Sequence, residues 1–231
     1  TDGLLAPAGV RRRREQGAVG WGRGGACGAV VLGRLDEARR VHIGRILATA
    51  VTRNRSRLRS LLSPDQWAEE EAIRSAHVGD TFVGLMHIHG IGQRMADTVE
   101  RQALQNEWPR GTLLNHKANL GHTVAVAGVL GLRTTVRTLQ GRRVPAHLKL
   151  ERPVKQLGAG IVAPTEPTPL LMPTTMAGVH GHAISGVNVH LVLGVPATAG
   201  PNCRLVLTWE HPSGQQSHQS GPVWTGPATV R

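Results

Sequence analysis

The stretch Asn115-His116-Lys117-Ala118-Asn119-Leu120-Gly121-His122-Thr123 places a polar, glycine-containing turn directly ahead of a long apolar run, Val124 to Leu139. Such a turn empties into a helix, and the small residues Ala125, Ala127, Gly128 and Gly131 predict that this helix packs closely at a domain centre. A lysine and a histidine at the mouth of a helix can orient each other and present a donor to an anionic oxygen. The local pattern thus demands a packed scaffold around a polar site.

The rest of the chain supplies alternating elements. Ala29 to Leu32 reads as a short buried strand, Asp36 to Arg40 as a helical turn and Arg45 to Val51 as a second strand. Thr52 to Leu62 is basic and irregular, after which Ser63-Pro64-Asp65 starts a helix that carries Glu69, Glu70 and Glu71 early and runs to about Ala76. Phe82 to His87 reads as a buried strand emptying into the His89 loop, Met95 to Leu104 as a helix, and Leu113 and Leu114 as a brief strand. Val144 to Leu150 is extended, Pro153 to Pro173 a proline-studded meander, and Val187 to Val195 a final strand. Alternation of this kind gives an α/β fold class.

Charge and cysteine content narrow the function. The net charge of +12 invites a nucleic-acid reading, but the arginines are scattered apart from Arg11 to Arg14, and no aromatic residues interleave with that run to stack bases. Nucleic acid is not expected as a partner. Cys27 and Cys203 make neither a disulfide framework nor a paired-cysteine zinc site, and no apolar run reaches the roughly 18 residues of a membrane span. Cytoplasmic localisation without a membrane partner follows as the expectation. Gly20 to Gly28 is glycine-rich but precedes a strand, the reverse of the order a dinucleotide site needs.

Four motifs then agree. Read with His89-Gly90-Ile91-Gly92-Gln93 upstream and Ile184-Ser185-Gly186-Val187-Asn188-Val189-His190 downstream, the Lys117 and His122 turn resembles the back half of a β-ketoacyl synthase. The likeness is to the ketosynthase domain of modular type I polyketide synthases and runs from about Gly20 to Leu193. It includes Asp97 and Glu100 after the His89 loop, and Thr165-Glu166-Pro167. The resemblance implies a thiolase-like layered αβαβα fold, present here as a C-terminal half with part of the N-terminal half.

It also implies a reaction, the decarboxylative Claisen condensation of acyl and malonyl-type thioesters in polyketide or fatty acid biosynthesis. His89 and His122 would be donors to the thioester oxygen and Lys117 would orient the site. Ile91, Gln93, Asn119, Ile184, Ser185, Gly186 and Asn188 would shape the substrate pocket. No cofactor is expected to be bound; the phosphopantetheine arm of a partner acyl carrier protein would bring the substrate, and a homodimer or the missing N-terminal half would complete the assembly. The family's nucleophilic cysteine belongs to a serine-rich elbow that neither Cys27 nor Cys203 reproduces, so the chain alone is expected to be catalytically impaired. Arg23 stands where the family has a glutamate, Ile91 and Gln93 where it has threonines, His182 and Ala183 where it has phenylalanine and glycine, Val187 where it has threonine, and Val124 where it has glutamate.

Three segments follow: a disordered basic N-terminal segment over 1–19, a partial ketosynthase domain over 20–195, and a linker or tail over 196–231. Two other functions compete. A half-domain with apolar faces could serve as a non-catalytic dimerisation or scaffold unit. His87 with His89, and His180 with His182, could build a histidine-rich metal site. No carboxylate or cysteine joins them at ligand spacing in the sequence, so no metal is expected.

Overall fold

A computed structural model describes residues 21–33, 43–55, 64–79, 82–148, 160–170 and 174–195. The expectations for 1–19, Asp36 to Arg40, 196–231 and Cys203 lie outside the described residues. In chain order the elements are β1 (Arg45–Arg53), α1 (Gln66–Ser75), β2 (Leu85–His87), α2 (Arg94–Glu107), β3 (Arg110–Leu114) and α3 (Lys117–Leu120). A 3-10 turn (Val124–Val126) then leads into α4 (Ala127–Gly141), β4 (Arg143–Val144), β5 (Gly160–Val162), β6 (Thr168–Pro169), β7 (Met176–His182) and β8 (Val187–Gly194).

Six strands form one mixed sheet in the order β1-β8-β7-β2-β3-β5. The β1–β8 and β8–β7 pairs are antiparallel, whereas β7–β2, β2–β3 and β3–β5 are parallel. β4 and β6 form a separate two-stranded ribbon. Because side chains alternate across a strand, Leu85 and Met86 serve opposite cores. Leu85 joins Leu114, Leu139, Val179 and Leu193 beneath α4, while Met86 joins Ile73, Ala103, Leu104 and Trp108 beneath α1 and α2. The sheet is therefore flanked by helices on both faces.

Local chemistry explains the helix ends. The Asp65 carboxylate accepts the Trp67 N–H at 3.1 Å as the N-cap of α1 and is also paired with Arg55. On α2, Asp97 and Glu100 fall in the opening turns, where the positive end of the helix dipole favours acids. Both turn inward to the preceding loop.

Several expectations need correction. Ala29 to Leu32 forms no strand and is not buried: Val31 is 90% exposed and Leu32 72%. Val and Leu content alone suggests burial there, but the segment pairs with no sheet edge. The helix expected from Val124 starts as a 3-10 turn at a strained Val124, φ +51°, and becomes α-helical only at Ala127. It is also buried along one face rather than all round, with Gly131, Thr135, Thr138 and Leu139 inside and Ala125 and Gly128 outside. At Gly131 a side chain would meet the His87 ring at 2.8 Å, so this glycine lets the helix approach β2.

The strand β1 continues through Thr52 and Arg53, in place of the irregular backbone expected there, because they pair with Asn188 and Val187 of β8. Within 144–148, the described part of that segment, only Val144 is in a strand. The meander expected between Pro153 and Pro173 contains β5 and β6, whose pairing partners Arg110 to Thr112 and Arg143 to Val144 lie far away in sequence. Strand β7 is not evident in the sequence, since its glycines and histidines dilute the apolar alternation.

Candidate active site

The site begins at the end of β2. There the chain leaves the sheet as the His89 loop, whose backbone N–H groups point at the first two turns of α2. Glu100 accepts the His89 N–H through Oε1 and the Gly90 N–H at 2.8 Å through Oε2. Asp97 accepts the Ile91 N–H at 3.0 Å and the Gly92 N–H at 3.1 Å. Four successive backbone donors are thus held by two carboxylates. A loop with every donor engaged has little freedom left.

The Lys117 turn closes the loop from the other side. Asn115 donates through Nδ2 to the Gly90 carbonyl at 2.9 Å and accepts the Lys117 N–H at 2.9 Å, while Lys117 Nζ donates to the His89 carbonyl at 2.6 Å. Lys117 is 2% exposed, so its ammonium is spent on the loop rather than on solvent. It lines the cavity but acts first as a clamp.

His122 follows the left-handed Gly121 (φ +84°) that ends α3. Its backbone is pinned to the glycine-rich segment: the His122 N–H donates to Gly22 O at 2.9 Å and its carbonyl accepts the Gly24 N–H at 3.0 Å. A Cβ at Gly24 would lie 2.3 Å from the Leu120 carbonyl oxygen, so only glycine permits this approach. Trp21 packs on the His122 ring at 4.4 Å between centroids. The His89 and His122 rings meet edge to face, 5.5 Å apart.

Burial and the neighbouring His182 push the His89 pKa well below its ordinary value, with Lys117 adding to the effect. The imidazole is therefore neutral. Its Nδ1 accepts the His182 backbone N–H at 3.4 Å, which leaves the ring proton on Nε2 as a donor. Behind it, His87 Nε2 and His116 Nδ1 share a 2.7 Å hydrogen bond, and burial holds His87 neutral too.

A cavity of about 950 Å³ opens over these groups. Its lining includes His89, Lys117, His122, Ile91, Gln93, Ile184, Ser185 and Asn188, so residues far apart in sequence share one space. Two expected pocket residues do not line it. Asn119 faces away, donating to Ala146 O at 3.0 Å and accepting the Leu148 N–H at 3.2 Å. Gly186 forms the β7–β8 turn at φ +78°, with its carbonyl accepting the Asn54 N–H at 2.8 Å. Asn119 thus ties α3 to the segment after β4, while Gly186 serves the turn between β7 and β8.

Sequence reasoning missed Trp21 and Asn54, which also line the cavity. It missed Glu69 as well. The expectation that no carboxylate stands at ligand spacing from the histidines is not met: Glu69 of α1 reaches His180 and His182, with donor atoms all within 4.8 Å of one another. A signal existed, because Glu69 falls on the same helical stripe as Ala68, Ala72 and Ile73, the buried face of α1.

A mixed sheet between helices, with a clamped histidine loop and a second histidine facing it, defines a ketosynthase-type, thiolase-like domain. The solved structures with this fold include the ketosynthase from module 6 of the bacillaene synthase of Bacillus subtilis 168, with a TM-score of 0.75 at 23% identity. The match covers 84% of this chain and 38% of that one. The oxazolomycin ketosynthase domain OzmH KS7 of Streptomyces albus JA3453 gives 0.74 at 22% identity, again over 84% and 38%.

Residues 43–151 match the family model described as Beta-ketoacyl synthase, C-terminal domain. Over residues 43–151 the chain carries this domain, and the relatives it matches are polyketide synthases. It is 30% identical over 210 residues to polyketide synthase GfsA of Streptomyces halstedii. It is 25% identical over 213 residues to the highly reducing polyketide synthase poxF of Penicillium oxalicum. These matches take in 83% and 84% of this chain but only 3% and 8% of the two relatives. No helix among the described residues is long and apolar enough to cross a membrane.

Proposed function

We propose that this chain supplies the decarboxylation half of a ketosynthase site, acting on a malonyl-type thioester carried by an acyl carrier protein on its phosphopantetheine arm. The observation that carries the reading is the facing pair of histidines, 5.5 Å between centroids, at the wall of a cavity large enough for an acyl thioester. Cleavage of the bond between the malonyl α-carbon and its carboxylate releases CO2 and moves the electron pair onto the thioester oxygen. Donors aimed at that oxygen stabilise the developing charge by about 3 to 4 kcal/mol each. Neutral His89, with its proton on Nε2, and His122 take this role. Lys117, Asp97 and Glu100 fix the loop that aims His89.

Condensation requires an additional nucleophile. Cys27 is exposed on an irregular segment, without the helix N-terminus that lowers a thiol pKa. Without an acyl-enzyme the enolate is protonated at carbon, and the product is the decarboxylated thioester. The test is twofold. Incubation of the chain with a malonyl thioester should release CO2 slowly, with a loss of about 100-fold in His89→Ala or His122→Ala; release unaffected by either substitution would sink the proposal. Intact mass after incubation with an acyl thioester should show no adduct, and a stoichiometric one abolished by Cys27→Ala would assign the nucleophile to Cys27 instead.

A further inference from the structure

The structure assigns a divalent transition-metal site, of the kind that takes zinc, to Glu69, His180 and His182 between helix α1 and strand β7. His180 and His182 stand two residues apart on one face of β7, the face that the Glu69 side chain of α1 reaches. Glu69 projects onto them from the buried stripe of α1. The Glu69 Oε2 to His180 Nε2 distance is 3.7 Å and the Oε1 to His182 Nδ1 distance is 3.8 Å. The His180 and Glu69 side chains are 0% exposed and that of His182 is 12% exposed.

Among the described residues, both Glu69 oxygens, both His180 ring nitrogens and both His182 ring nitrogens lack a hydrogen-bond partner. A buried carboxylate without a donor costs several kcal/mol, and one beside two imidazoles that also lack partners compounds the cost. The separations are too long for imidazole–carboxylate hydrogen bonds, which close to about 3 Å. They are closer to the spacing of ligands around an ion: with bonds of about 2.0 to 2.2 Å, tetrahedral ligand atoms stand roughly 3.3 Å apart. A contraction of about half an ångström in each of the two measured pairs would complete the coordination.

The donor set selects the ion. Two imidazoles and one carboxylate suit zinc and its neighbours, not magnesium or calcium, and leave a fourth tetrahedral position. His180 and His182 line the cavity while Glu69 sits behind them, so that position faces the cavity beside the His89 ring, 3.9 Å from the His182 ring. His190 lies opposite His180 in the β7–β8 register, with 5.6 Å between rings, and falls outside the three-residue cluster. The site adjoins the proposed decarboxylation, because the His182 backbone N–H is held by His89 Nδ1, but no side chain of Glu69, His180 or His182 is assigned as a donor to the thioester oxygen.

The test uses the full chain stripped with a chelator and titrated with Co2+, then with Zn2+ in competition. One equivalent of Co2+ should bind with visible d–d absorption of tetrahedral intensity, and Zn2+ should displace it. Glu69→Gln and His182→Asn should each weaken binding by about 100-fold, while His77→Ala, at an exposed histidine away from the cluster, should leave it unchanged. Circular dichroism identifies any variant that does not fold, and either ligand variant alone decides the outcome. Absence of stoichiometric binding, or binding of unchanged affinity and spectrum in Glu69→Gln or His182→Asn, would overturn the assignment.

Discussion

Glu100 and Glu69 are both carboxylates at 0% exposure, both on helices of the same layer, yet their surroundings are opposite. Glu100 receives two backbone N–H groups from the His89 loop, whereas neither oxygen of Glu69 receives a hydrogen bond and two imidazoles stand nearly 4 Å away. The difference teaches how a buried charge is made tolerable. Around Glu100 the fold itself provides the donors and gains a rigid loop in return. Around Glu69 the described residues provide two imidazoles and no hydrogen-bond donor, the arrangement to which the metal site is assigned.

The strongest way to break this comparison is to apply one substitution to both residues. Glu100→Gln removes one acceptor oxygen and sets an amide donor against a backbone N–H, and it should cost about 3 kcal/mol of unfolding free energy. Urea unfolding of the chelator-treated protein measures it, and a cost under about 1 kcal/mol would show that the loop is held by something else.

The second prediction concerns the histidines behind the clamped loop. His87 has a folded pKa well below 6.5, from burial first and then the nearby Lys117. A depressed histidine binds its proton only in the unfolded chain, so its contribution is intact above about pH 6.5 and falls as the pH drops below it. The slope from this one group reaches about 1.4 kcal/mol per pH unit. Comparing urea midpoints at pH 7.5 and 5.5 for the parent and His87→Asn isolates it: the variant should lose less stability on acidification.

A smaller effect, with the opposite sign to the first, is expected at the other carboxylate. In metal-free protein Glu69→Gln replaces a carboxyl that accepts no hydrogen bond from the described residues by an amide able to donate to a His180 or His182 ring nitrogen, and should stabilise the fold by about 1 kcal/mol. Saturating zinc should stabilise the parent clearly more than the variant. A destabilised metal-free variant would mean that Glu69 already has a compensating partner, and the contrast with Glu100 would vanish.

The smallest effect sharpens the boundary of the site rather than its centre. Val124, exposed and β-branched, sits at φ +51° where the polar turn meets the 3-10 turn. Val124→Asn should relieve up to about 1 kcal/mol of backbone strain, because asparagine tolerates this conformation. A melting temperature raised by roughly 2 to 4 °C would register it in a chain of this size.

The clamped half of the site was legible in the linear chain because its parts are local. Lys117, His122 and the glycine between them occupy one turn, and His89, Asp97 and Glu100 occupy one loop and the start of one helix, so motif and spacing carried most of the arrangement. Elements with clear periodicity, such as α1 and α2, were equally plain. Strands β5, β6 and β7 were not, since short or glycine-diluted strands take their identity from distant partners. Asn119 and Gly186 stand outside the cavity lining for a related reason: Asn119 is bonded to Ala146 and Leu148, far away in sequence, and Gly186 shapes the β7–β8 turn.

By itself the sequence determined the alternation of strands and helices, the polar turn before α4 and the loop and turn that carry His89 and His122, all through interactions spanning a few residues. Only the tertiary structure decided that α1 packs on β1 and β8 so that the Glu69 side chain reaches His180 and His182 of β7, that Val31 and Leu32 stay exposed, and that His89 keeps its proton on Nε2. Those outcomes depend on which faces of distant elements meet. Side-chain alternation restricts each element to two faces, but the packing of the whole sheet chooses between them.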